Sequence, residues 1–410
     1  MESHLETLHK RVAGIDVHRM KHVVTVLIED EAGNLTRTPR EFGGFKRDLK
    51  ALAAWLVELR VERVILESTG IYWKSVHARL EEVGLSIWVV NAHHVKHVPG
   101  RKTDVADSEW LAQLGRYGLV RPSFIPPRDL RELRLVSRYR QKLVAMQAAE
   151  TNRMHKLLDD AGIKLGGLVA DLHGKSASAI VDGLIDGLAP EELIRLSGRL
   201  KASREDLLAS LEGDLSARHR WVLREIRDHR HELATHLARV DATLRDAMVP
   251  YAEAWIRLQT LPGIDEMAAA MILIEMGDDL TRFGHADRLA SWAALCPGNN
   301  ESAGKKKSSK TRKGNTMLRY LLCEAANGAI RTASVFRDKY RGLVVRRGHN
   351  KAIVAIAHKM IRTIWFMFTR REAYHDSGFD YTAANVKKNA PRWIKALRTH
   401  GFVVKLASAN

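Results

Sequence analysis

Four acidic side chains have types and spacing suited to work on phosphodiesters: Asp16, Glu67, Asp104 and Asp107. Asp16 sits inside the apolar, β-branched run Val12-Ala-Gly-Ile-Asp-Val17, where a carboxylate is costly to bury unless it is paired or metal-bound. Glu67 directly follows Val64-Ile-Leu66, and Asp104 and Asp107 are three apart, which puts them on one face of a helix. Carboxylate oxygens are hard donors that suit Mg²⁺. Two such ions can clamp the attacking and leaving oxygens of a phosphoryl transfer.

A second group of residues carries different chemistry. Ser302 lies in the polar stretch Pro297–Asn315 beside Lys305, Lys306, Lys307, Lys310, Arg312 and Lys313, with only Glu301 opposing them. A hydroxyl in a glycine-flanked loop among cations suits attack on a phosphodiester, the cations drawing in the backbone and offsetting developing charge. The same composition also fits a basic loop that only binds phosphates. Upstream, Leu261-Pro262-Gly263-Ile-Asp265 resembles the hairpin of a helix-hairpin-helix element. There the turn and the next helix N-terminus offer N–H groups to a phosphate, which makes Pro262 and Gly263 nucleic-acid-binding candidates.

The elements needed to position the carboxylates can be read from periodicity. Residues 11–120 give three strands with tight turns, a helix from Phe45 to Leu59, a strand at 64–66, a helix from Tyr72 to Val83, a strand at 85–90 and a helix from Thr103 to Tyr117. The order β-β-β-α-β-α-β-α is that of the ribonuclease-H/resolvase type of α/β fold, in which the fourth strand lies beside the first. Asp16 and Glu67 would then be neighbours. We place this catalytic domain at 10–125 and a helical, oligomerising region at 126–256. A helical C-terminal domain carrying the serine loop follows at 257–370, then a basic tail at 371–410. Within the helical region Ile226, Leu233, Leu237, Val240, Leu244 and Ala247 make an a/d-type seam, suited to a helical hairpin or an intersubunit coiled coil. The glycine-spaced stretch Gly162–Gly187 reads as a loop insertion.

Composition narrows the partners. The 410 residues hold 66 Lys+Arg against 48 Asp+Glu, a net charge of +18, which points to a polyanion. No apolar run approaches the length of a membrane span, and the N-terminus lacks the pattern of a secretory signal, so we expect a cytoplasmic protein with no membrane partner. Two cysteines outside any C-x-x-C pair exclude a disulfide scaffold and a cysteine zinc module. From the residues alone, a hydrolytic nuclease of the Holliday-junction-resolvase type, with water as nucleophile, stands as the alternative to a serine recombinase.

Gly14-Ile-Asp16-Val-His18, Glu67-Ser-Thr-Gly70-x-Tyr72-Trp73 and Lys102-Thr-Asp104-x-x-Asp107 resemble the three motifs of the DEDD-type insertion-sequence transposases of the IS110 family. Leu261-Pro-Gly263 and Pro297-Gly298…Ser302…Gly314-Asn315 resemble that family's C-terminal domain. The resemblance implies a site-specific DNA recombinase guided by a structured bridge RNA that pairs with donor and target DNA. It further implies Mg²⁺ on Asp16, Glu67, Asp104 and Asp107, Ser302 as the nucleophile of a phosphoserine intermediate, and a site assembled in a homodimer or homotetramer. Lys102 joins the nucleic-acid-binding candidates. The chain departs from the pattern at Ala303, where serine is expected, and at Ser108, where alanine is usual.

Overall fold

The computed structural model describes residues 6–68, 70–91, 95, 107–198, 200–298, 300–302, 305–308, 311 and 313–405. The chain divides into two compact units, residues 1–128 and 129–410.

In the first unit β1 (Arg11–Val17), β2 (Lys21–Glu29), β3 (Leu35–Gly43), β4 (Arg63–Glu67) and β5 (Ile87–Val90) form one sheet in the order β3-β2-β1-β4-β5. The first three strands are antiparallel, whereas β4 runs parallel to β1 and β5 parallel to β4. This is the resolvase-like arrangement expected from the element order. Among the described residues, helices α1 (Lys46–Glu58), α2 (Trp73–Glu82) and α3 (Asp107–Arg116) accompany the sheet. The central strands are buried on both faces, as their near-continuous apolar runs require. On one face Ala13, Ile15, Val64 and Leu66 pack with Leu52 and Leu56 of α1 and Leu80 of α2. On the other, Val12 and Ile65 pack with Leu111 and Leu114 of α3.

The second unit opens on α4 (Arg128–Asp160). Four shorter helices follow: α5 (Leu165–Leu168), α6 (Lys175–Asp186), α7 (Pro190–Arg195) and α8 (Arg204–Leu211); then comes the long α9 (Ala217–Ala247). Helices α4 and α9 lie antiparallel, linked by Arg140–Asp241 at 2.5 Å, Glu150–His229 at 3.1 Å and Asp160–His219 at 3.2 Å. Ile226, Leu233 and Leu244 of the seam are buried, while Leu237, Val240 and Ala247 are half-buried. The stretch Gly162–Gly187 is helical rather than a loop. Ile180, Val181, Leu184 and Ile185 of α6 share a core with Met154, Leu158, Leu207 and Leu223, and that burial outweighs the helix-weakening glycines.

The rest of this unit comprises α10 (Ala252–Gln259), α11 (Glu266–Met276), α12 (Ala286–Trp292), the ribbon strands β6 (Asn300–Ser302) and β7 (Lys305–Ser308), α13 (Thr316–Ala329), α14 (Val335–Arg347), α15 (His349–Arg370) and α16 (Tyr381–Thr399). Contrary to the reading of the sequence, the 22-residue α15 is long and apolar enough to cross a membrane, but 50% of its apolar window is buried in the protein. Ala352, Ile356, Ala357, Met360, Ile361 and Ile364 are fully covered, consistent with the central helix of a bundle formed with α12, α13 and α14.

Candidate active site

Ile15 of β1 pairs with Leu66 of β4 in parallel register, so Asp16 and Glu67 are the next residues along two adjacent strands. Side chains alternate across a strand. Because Val12 and Ile65 face α3, Asp16 and Glu67 fall on that same face, at the C-terminal ends of their strands. Asp16 is thus one residue from the end of β1 rather than mid-strand, and its side chain keeps 29% of its surface exposed. Placement at the end of the strand lowers the desolvation cost that a mid-strand carboxylate would carry.

Helix α3 brings the third carboxylate. A Cβ on Gly14 would lie 1.9 Å from the Ser108 carbonyl oxygen and 2.5 Å from the Ala112 nitrogen, so the helix backbone rests directly on β1. Gly115 makes the same close approach to Ile65 and Val12 one turn onward. The helix therefore runs against the strand direction, with its first residue, Asp107, at the carboxylate end. Ser108 is fully buried and its hydroxyl lies 2.8 Å from that of Thr25, itself fully buried and paired in register with Gly14. This pair accounts for the departure at Ser108: the hydroxyl is satisfied across the helix–sheet junction instead of left unpaired.

His18 closes the first motif but was given no role from the sequence, and its Nε2 lies 3.0 Å from Asp16 Oδ2. A histidine two residues after a strand-end carboxylate, on the same side of the strand, was the available signal. Burial, and then the neighbouring His18, lower the pKa of His22 below its ordinary value, with Asp16 opposing. Tyr72 is exposed, whereas Trp73 packs against the α1–α2 core and stacks edge-on to His77. Among the described residues no group of three or more His, Cys, Asp or Glu is close enough to hold a metal. Asp104 and Lys102 lie outside the described residues. The donor set itself fits a hard cation: two carboxylates in adjacent register, a third at the start of the covering helix, and no sulfur. Mg²⁺ characteristically takes one or two carboxylates and completes its shell with water and substrate oxygens.

The stretch around Ser302 is a β-ribbon, not an open loop. Ser302 pairs with Lys305, Glu301 with Lys306 and Asn300 with Ser308, with a register irregularity between Asn300 and Glu301, and Pro297 bridges Thr311 at the base. Ser302 therefore ends the first strand, with Lys305, Lys306 and Lys307 on the returning one. Lys310 and Arg312 lie outside the described residues, and Lys313 is exposed at the base.

A buried ionic network that the sequence did not suggest holds the ribbon's root. Glu275 is fully buried on α11. Its carboxylate meets Arg134 Nε at 3.2 Å and accepts from Arg138 Nε at 3.2 Å and from Asn315 Nδ2 at 2.7 Å. Asn315 donates its backbone N–H to the Trp292 carbonyl at 2.8 Å, and its Oδ1 accepts from Leu318 N at 3.0 Å, capping α13. Burial lowers the pKa of the Arg134 guanidinium to about 10, against the pull of Glu275. Glu275, the one acid in the apolar run Met267–Met276, was the signal, of the same kind that drew attention to Asp16.

Pro262 and Gly263 form a turn whose structural demand is explicit. Gly263 has φ +83°, and a Cβ there would sit 2.1 Å from the Ala325 carbonyl oxygen. Asp265 caps α11, accepting from Ala268 N at 2.7 Å.

Comparison with known proteins gives concordant matches. Residues 13–163 match the model of the DEDD transposase domain of IS110, and residues 255–341 match that of the transposase IS116/IS110/IS902 family, together more than half of the chain. The transposase for insertion sequence element IS1111A of Coxiella burnetii is 25% identical over 374 residues, covering 89% of this chain and 91% of that protein. A probable family 20 transposase of Pseudomonas aeruginosa is 25% identical over 319 residues, covering 76% and 85%. Thermus thermophilus RuvC, solved with a Holliday junction, aligns over 28% of this chain and 99% of its own at 16% identity, with a TM-score of 0.22.

Proposed function

The chain belongs to the IS110 family of insertion-sequence transposases, and from that premise we propose that it cuts and rejoins DNA with a Mg²⁺-binding carboxylate cluster and a serine nucleophile. The observation that carries the reading is the placement of Asp16 and Glu67 in adjacent parallel register, on the sheet face from whose carboxylate end Asp107 begins its helix. Asp104, three residues earlier, completes the set. When bound, Mg²⁺ supplies charge neutralisation at the scissile phosphate. Asp16 and Glu67 hold this end of the site, and His18 fixes the orientation of the Asp16 carboxylate through its ring nitrogen.

Ser302 attacks phosphorus through Oγ. The Oγ–P bond forms as the bond from phosphorus to the deoxyribose oxygen breaks; the serine proton leaves and the departing oxygen takes one up. The phosphoserine keeps the phosphodiester energy, so a hydroxyl of the other DNA end can displace Oγ and regenerate the serine without ATP. Lys305, Lys306, Lys307, Lys310, Arg312 and Lys313 draw the DNA backbone to the ribbon and offset the charge of the crowded phosphate. Pro262, Gly263 and Lys102 add backbone contacts. A bridge RNA selects donor and target, and the carboxylates of one subunit work with the serine of another in a homodimer or homotetramer, in the cytoplasm.

The test is covalent trapping. Protein, Mg²⁺, RNA from the element's flank and end-labelled donor and target DNA are resolved on a denaturing gel, wild type beside Ser302→Ala. A protein–DNA band lost in the variant is expected. Cleaved DNA without a covalent band in either lane would replace this reading with a hydrolytic nuclease, and a band surviving Ser302→Ala would move the nucleophile to Ser308 or Ser309.

A further inference from the structure

Beyond the two sites above, the last helix carries a run of charge with no acid in it. No acidic residue follows Asp380, whereas Lys387, Lys388, Arg392, Lys395, Arg398 and Lys405 do. Lys388, Arg392, Lys395 and Arg398 recur at steps of four, three and three along α16, which sets them on one face of a helix. All four are exposed, and none has an acidic partner among the described residues. The helix is held firmly at its start: Asp380 Oδ1 accepts from Ala383 N at 2.9 Å, and Lys359 Nζ donates to the Tyr381 hydroxyl at 2.5 Å. Lys359 also stands 4.8 Å from the Tyr381 ring centroid. The far end carries its cations into solvent.

A fixed root with an uncompensated basic face is poor design for stability, because like charges within one turn repel. It suits a partner that brings the opposite charge in a regular array. We propose that this face of α16 docks on the phosphate backbone of duplex DNA flanking the reaction site, a binding surface separate from the serine ribbon. Charge complementarity selects the partner: Lys388 to Arg398 spans about 15 Å along a helix axis, a length over which duplex DNA presents several phosphates. The reading rests on the chain's acting on DNA. A basic helix with exposed Val386, Trp393 and Leu397 on its other side would alternatively lie on an anionic membrane, which the test separates.

The full-length protein is compared with the variant Lys388→Gln/Arg392→Gln/Lys395→Gln/Arg398→Gln. Its substitutions are all at exposed positions, and retained folding is checked by the melting curve. Binding to a fluorescent duplex lacking the element's sequence is followed from low to moderate salt. The expected result is at least a tenfold weaker affinity and a slope of log K against log salt reduced by about two to four, since each lost phosphate contact removes about 0.9. An unchanged slope overturns the proposal, as does lost binding to phosphatidylserine vesicles with DNA binding intact. Asp16→Asn serves as the comparator. Should the wild type form no strand-transfer product while wild type and Asp16→Asn share the full salt slope and the neutralised helix has a reduced one, the catalytic reading fails and the helix surface stands. If product forms but the neutralised helix binds with the wild-type slope, the reverse holds.

Discussion

Glu275 offers the sharpest test of how the serine ribbon is held. Glu275→Gln keeps the shape of the side chain but removes the charge that faces Arg134 and Arg138. Arg134 retains only 17% of its side-chain surface and cannot readily turn to water, whereas Arg138, at 49%, can. Breaking a buried ion pair from one side costs about 3–5 kcal/mol. With one of the two arginines free to rehydrate, the expected loss is near the lower end, about 3 kcal/mol. Asn315→Ala removes a hydrogen bond to a charged group, about 1.5–3 kcal/mol, together with the α13 cap. Because both act on one network, the double variant should be less destabilised than the sum, with a coupling of about 1 kcal/mol or more. Denaturant unfolding followed by tryptophan fluorescence reads this directly: Trp292 accepts from Asn315 and lies 6.0 Å from the Arg134 guanidinium. Since Asn315 ends the ribbon, the rate of covalent complex formation should fall in either variant by more than DNA affinity does. A loss below about 1 kcal/mol for Glu275→Gln, or strictly additive effects, would refute the view that this network anchors the ribbon.

Gly14→Ala should destabilise the first unit by about 1–3 kcal/mol or prevent its folding, because the new methyl meets backbone atoms of α3 that cannot move aside; thermal melting of residues 1–128 within the whole protein checks it. Gly263→Ala should be as costly, for the added strain of φ +83° and the clash with the Ala325 carbonyl, while leaving Mg²⁺ affinity unchanged by calorimetry. Acidification should loosen the helical hairpin: burial, and then Arg230, lower the pKa of His173, so the folded state binds its proton less readily than the unfolded chain. Its stabilising effect is present above the ordinary histidine pKa and is lost as pH falls below it, and His173→Asn should flatten that dependence of the melting temperature. Chelation of Mg²⁺ should abolish strand transfer yet preserve DNA binding, and Asp16→Asn should reproduce that outcome in gel-shift and cleavage assays; cleavage surviving either treatment would remove the metal reading.

What the sequence determined here is what local chemistry determines. β-branched runs broken by turn residues gave the strands in order, apolar residues at helical spacing gave α1, α2 and the seam of α9, and the lone acid in the apolar run of β1 marked a candidate site residue. The resemblance of its motifs to the IS110 family rested on residues close together in the chain. Tertiary structure decided what depends on distant contacts. Only strand pairing shows Asp16 and Glu67 in adjacent register, because registers are set by cross-strand hydrogen bonds between residues about 50 positions apart. Only packing explains why α6 forms across a glycine-spaced stretch, or why α15, apolar enough for a membrane, is covered by its own neighbours. The buried Glu275 was visible as an oddity in an apolar helix, but its partners come from α4 and from the residue before α13, which no local pattern connects. A carboxylate in the core needs positive charge from wherever the fold can bring it, and that is settled by the assembled chain.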